Sequence, residues 1–108
     1  LVEHPDVGIS DKLFLVSLNK SDFGIHTLIV NEVKYYLFNG NEYQISILAK
    51  RQSDDQEEAI YSANDKNLTN KDYYNFIFKE EDKAKELLKR HIEEEKKFLS
   101  LHFNQLNN

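Results

Sequence analysis

No cysteine occurs among the 108 residues, which excludes a disulfide framework, a thiolate metal site and a cysteine nucleophile together. A thiol-free chain suits a reducing cytoplasm, the compartment we expect. Glycine is nearly as scarce, at three residues, so the Gly-rich loops that cradle phosphates are ruled out. No run of about 18 apolar residues is present, and nothing is expected to span a membrane as a helix. The opening LVEHPDVGIS is neither basic nor apolar enough for a signal peptide. Methionine is missing even at position 1, so residues upstream of Leu1 are expected. Excess positive charge is also lacking: the net charge of −5 argues against duplex nucleic acid, whose binding needs clustered Lys and Arg.

What remains is the composition of one small folded unit. Apolar residues make up 40% and charged residues 31%, which is enough for a core and too apolar for a disordered chain. Twelve lysines against two arginines, with eleven asparagines and eight isoleucines, point to an AT-rich genome or one of its mobile elements.

Residues 33–49, VKYYLFNGNEYQISILA, carry the clearest structural signal. Asn39-Gly40 between two alternating runs of aromatic and β-branched residues marks a β-hairpin. A two-residue loop would pair Lys34 with Ile45, a poor match. A three-residue loop, Asn39-Gly40-Asn41, pairs Leu37 with Tyr43, Tyr35 with Ile45 and Val33 with Ile47. A one-residue slip reverses every side chain, so this all-apolar face selects the longer loop and is the expected core face. The opposite face then carries Lys34, Tyr36, Phe38 and Leu48, with Glu32 and Glu42. Two aromatics on a face that should be wet make these four residues the candidate binding patch.

Upstream, Leu13–Leu18 reads as a strand buried on both faces and Ile25–Val30 as a second. Asn31-Glu32 is either a tight turn or a bulge; a bulge would make 25–38 one long bent strand. The polar run 50–58 reads as a solvated loop, with a short edge strand after it at Ala59–Ala63. Thr69-Asn70-Lys71-Asp72 has the form of a capping box. From there Tyr73, Tyr74, Ile77, Ala84, Leu87, Leu88, Ile92, Phe98, Leu99, Phe103 and Leu106 fall within an arc of roughly 160° on a helical wheel. An unbroken helix over 71–106 would be roughly 54 Å long, so a break is expected near Phe78–Glu81, with Glu80, Glu81 and Asp82 opening the second helix.

His91, Glu95 and His102 lie at the centre of that arc. His91 and Glu95 are four apart and can meet, whereas His102 is two turns beyond Glu95. A metal site needs three or four ligands converging at about 2 Å, so the three residues read as a polar seam at a helix or subunit contact. His4, beside Glu3 and Asp6, would join them only by a coincidence of folding, and His26 reads as structural. The acidic clusters Asp54, Asp55, Glu57, Glu58 and Glu93–Glu95 read as solvated faces, the sharper alternative being a decoy for a basic site on another protein. No Ser-His-Asp order, P-loop or HExxH motif is present.

The expectation is therefore a single α+β domain, an antiparallel sheet of three to five strands packed against a long C-terminal amphipathic helix. It divides into a β-rich half (1–50), a polar connection (51–70) and a helical half (71–106). Its expected role is non-catalytic and cofactor-free: binding another protein, as a phage or mobile-element inhibitor of a host factor would, and self-associating through the helix. A sheet-based ligand or single-stranded nucleic-acid binder is the alternative, and a small metal-dependent enzyme ranks third.

Overall fold

Fifteen consecutive residues of one strand dominate the architecture. The computed structural model describes residues 7–38, 42–62, 67–72 and 74–107, with backbone only at 37, 38, 42 and 43. Among them the chain forms β1 (Lys12–Ser17), β2 (Gly24–Phe38), β3 (Glu42–Arg51), β4 (Glu57–Ser62), β5 (Leu68–Asn70), β6 (Asn75–Phe78) and α1 (Glu81–Leu106). The strands make one antiparallel sheet in the order β5-β4-β3-β2-β1-β6. The sheet curls nearly into a barrel, until β5 touches β6, where Asn75 Nδ2 donates to Asn70 Oδ1 at 3.4 Å.

The hairpin register is the one that an all-apolar face selects. Val33 faces Ile47, Tyr35 faces Ile45, Leu37 faces Tyr43 and Phe38 faces Glu42. The loop residues Asn39, Gly40 and Asn41 lie outside the described residues. Asn31 is the bulge: the β2–β3 ladder steps from Val30 to Glu32. That extra residue reverses the parity of β2, so Leu28 and Val30 point inward before it and Val33 after it. Gly24 opens the strand at φ 133°, a conformation that favours glycine.

Leu13, Leu15, Leu28, Val30, Ile45, Ile47, Ala49, Ile60 and Ile77 fill the interior, with Val7 packed among them. The other face of β1 carries Phe14 and Val16, which pack under Ala84, Leu87 and Leu88 of α1. This double cover accounts for the nearly continuous apolar character of LFLVSL.

Four expectations need correction. The sheet has six strands: the polar connection 51–70 contains β4, which overlaps the edge strand expected at Ala59–Ala63 but lies inside the sheet between β3 and β5, and β5 itself. The stretch read as a first, short helix contains β6, with Ile77 inside the barrel. Period alone cannot separate a four-residue apolar run in a strand from one in a helix; the free edge of β1 decides it by offering ladder hydrogen bonds to NFIF. Thr69 accordingly sits in β5 and caps no helix, and α1 starts after Glu80 with Glu81 and Asp82 in its first turn. Finally, Tyr35 is exposed, although Ile45 opposite is buried. Strand β1 pairs β2 only up to Ile29, so β2 runs on past that neighbour and Tyr35 lies in the part that β1 does not flank, whereas Ile45 sits between β2 and β4. The side chains of Leu37 and Tyr43 lie outside the described residues.

Candidate interaction surface

Helix α1 has 26 residues, and its two halves have different surroundings. Successive turns of one face carry Ala84, Leu87, Leu88 and His91, which lie against the barrel at least in part. The same face continues in phase through Glu95, Phe98, Leu99, His102 and Leu106, flanked by Ile92 and Phe103. Beyond His91 the barrel no longer covers it, and exposure rises from 36% at Ile92 to 84% at Leu106. Residues 92–106 thus form an arm about 22 Å long at ~1.5 Å per residue. The molecule measures 62 × 31 × 21 Å, with a radius of gyration of 17.2 Å; a compact chain of this length would have about 13 Å.

A groove of about 590 Å³ opens where the arm leaves the barrel. Its walls are Leu18 and Phe23 around the β1–β2 turn, Tyr74 before β6, and Ile92 and Leu99 on α1; Lys20 and Lys96 stand at its rim. Phe23 approaches the His91 ring at a centroid distance of 6.0 Å. The backbone bond from Leu18 N–H to the Tyr74 carbonyl, 3.1 Å, ties the two loops that form this wall.

The seam predicted at His91, Glu95 and His102 divides into two parts. His91 Nε2 is 4.0 Å from Glu95 Oε1, and the His102 ring packs at a tilt against Phe98 at a centroid distance of 4.5 Å. His91 thus rests on Phe23 of the β1–β2 turn and His102 on Phe98 of the helix itself, with Glu95 between the two histidines along α1. Among the described residues no three His, Asp or Glu side chains are grouped to hold a metal ion. His4, Glu3 and Asp6 lie outside the described residues.

On the hairpin, Lys34 pairs across from Ser46, Tyr36 from Gln44 and Leu48 from Glu32. Tyr36 is 47% exposed on the outer face and Tyr35 56% exposed on the inner one. Lys34 Nζ contacts Glu32 Oε1 at 3.3 Å, which offsets the positive charge that Lys34 brings to the patch. That pairing weakens a nucleic-acid reading, in which stacking aromatics sit in a cationic groove. The Phe38 side chain lies outside the described residues.

Sequence reasoning missed a polar cluster closing one end of the barrel. Arg51 is 4% exposed and forks onto Asp22, Nη1 to Oδ1 at 2.8 Å and Nη2 to Oδ2 at 2.6 Å, while its Nε donates to Glu58 Oε1 at 2.9 Å. Glu58, 8% exposed, also accepts from Gln56 Nε2 and Asn70 Nδ2, each at 3.3 Å. Arg51 and Glu58 are thus buried partners, contrary to the solvated loop read over 50–58. Asp54, Asp55 and Glu57 are exposed. The guanidinium holds the Asp22 carboxyl below its usual range, and the two carboxylates raise Arg51 further above its own. His26 Nε2 lies 2.8 Å from the Asp22 carbonyl oxygen, a structural contact. One signal was available: a chain with twelve lysines keeps an arginine where a planar fork must bind two carboxylates. The cluster joins the β1–β2 turn to β3, β4 and β5, and opens onto no groove described above.

Among the described residues no helix is long and apolar enough to cross a membrane. Searches against protein-family models, curated proteins and solved structures find no match to this chain.

Proposed function

We propose that this chain is a non-catalytic protein-binding domain whose contact surface is the uncovered stripe of α1 together with the groove at its foot. One observation carries the reading: the apolar face that seats α1 on the barrel continues in phase for four further turns, and its apolar residues from Ile92 to Leu106 are exposed. A contiguous exposed apolar patch of this kind, rimmed by Lys and Glu, marks a protein contact surface. Such a domain acts by occupancy: it holds its partner and does no chemistry on it.

The outer hairpin face, with Lys34, Tyr36 and Leu48, supports a second reading. Two consecutive tyrosines exposed on opposite faces of a projecting hairpin place aromatics where binding energy commonly concentrates. The wild-type chain, a Leu99→Glu/Phe103→Glu variant and a Tyr36→Ala variant, each immobilised and melted in parallel, separate the two. The expected result is loss of retained proteins by the helix variant alone, with all three melting points close together, because exposed substitutions usually shift stability by no more than about 0.5 kcal/mol. Loss by Tyr36→Ala alone would favour the hairpin, and retention by both variants would refute both surfaces.

A further inference from the structure

We infer that the occupant of the α1 stripe is a second copy of this chain, bound antiparallel about a two-fold axis between Phe98 and Leu99. The inference rests on the reading of the stripe as the contact surface and adds its partner and geometry. In antiparallel helices the numbers of facing residues have a constant sum, and a two-fold axis makes every contact reciprocal. An axis between Phe98 and Leu99 sets Phe98 against Leu99 of the second copy, Glu95 against its His102 and His91 against its Leu106. The Glu95–His102 pair then forms twice, once on each side of the axis. A parallel pairing would set Glu95 against Glu95 and His102 against His102, leaving two carboxylates together in an apolar seam.

The groove supports the same direction. Antiparallel pairing carries the end of the second arm, with its Phe103 and Leu106, to the place where the first arm leaves the barrel, which is where Leu18, Phe23 and Tyr74 form the wall. The last turn of α1 holds no basic residue to offset the partial negative charge of a helix C-terminus. Lys20 and Lys96 at the groove rim supply that charge from the other copy. Phe98 and Phe103, each more than half exposed, form with three aliphatic side chains and the groove wall the apolar centre that a stable interface of roughly 800 Å² per partner requires. The two barrels fall at opposite ends of the pair, each beyond the tip of the other's arm.

The natural absence of cysteine makes the geometry directly testable with single-cysteine variants. In the antiparallel pair position 91 faces position 106, while like positions are about 22 Å apart along the axis at ~1.5 Å per residue, beyond disulfide reach. His91→Cys mixed with Leu106→Cys should form a disulfide on mild oxidation, and neither variant alone should. Sedimentation of the full chain should give twice its mass of 12.8 kDa, and Leu99→Glu should weaken the dimer at least about a hundredfold. Disulfides formed by each variant with itself would overturn the antiparallel pairing. A chain monomeric at high micromolar concentration, whose Leu99→Glu/Phe103→Glu variant still loses a retained protein, overturns self-pairing and leaves the stripe reading standing. A dimer indifferent to Leu99→Glu overturns both.

Discussion

Replacing Arg51 with methionine keeps most of the aliphatic volume and removes the charge that binds Glu58 of β4 and Asp22 of the β1–β2 turn to β3. Glu58, buried at the start of β4, would keep only the amide donors of Gln56 and Asn70, both at 3.3 Å. Stranding one member of a buried ion pair costs about 3–5 kcal/mol. The Asp22 side chain is 37% exposed and can turn to solvent, so its share is screened and the lower end applies, about 3 kcal/mol. Against a total stability of roughly 5–15 kcal/mol this is a large fraction, and in a domain of this size it lowers Tm by roughly 10–20 °C. Urea titration and thermal melting of Arg51→Met measure the loss. If the cost comes from the stranded carboxylate, Glu58→Gln added to Arg51→Met must recover part of it, because a neutral amide is less costly to bury than a lone charge. A single variant that loses less than about 1 kcal/mol, or a double variant no more stable than the single one, would refute the account of Arg51 as the charge that makes Glu58 tolerable.

Ile45→Ala should cost about 2–5 kcal/mol through lost burial and a cavity, read as a lower urea midpoint at unchanged slope; Ile45 is 1% exposed among the interior residues. The Asp22–Arg51 pair predicts the shape of the acid limb. The folded carboxyl titrates below its unfolded value of about 3.9, so its contribution is complete above that value and is lost as pH falls through the depressed folded pKa. Asp22→Asn should therefore lose stability more gradually than wild type below about pH 4, and parallel acid limbs in the two proteins would count against the pair.

The hairpin shows how far a period of two can carry an inference. With two apolar runs flanking Asn39-Gly40, one register makes one face apolar throughout, and the observed pairs follow it from Val33–Ile47 to Phe38–Glu42. The exposure of Tyr35 was not legible, because it depends on how far β1 extends beside β2, and β1 ends its pairing at Ile29. The C-terminal element behaves alike. Its apolar phase is a property of the chain, and α1 keeps it through Leu106. Tyr74 and Ile77 share that phase by coincidence, and Ile77 belongs to β6.

Sequence by itself determined the local choices, in which each residue's neighbours lie within one turn or directly across a hairpin: the Val33–Ile47 register and the start of α1 at its carboxylates. At Asn31 a turn and a bulge both fit the residues, and the β2–β3 pairing decides for the bulge. Tertiary structure alone decided the matters that depend on partners far along the chain. Arg51 meets Asp22 across 29 positions, a proximity that no spacing rule encodes. The amphipathic pattern of α1 likewise says which face seeks cover, and only the size of the barrel determines that the cover ends near His91. Periodicity is a one-dimensional property and burial a three-dimensional one, so the stripe could be read from residues and its uncovered length could not.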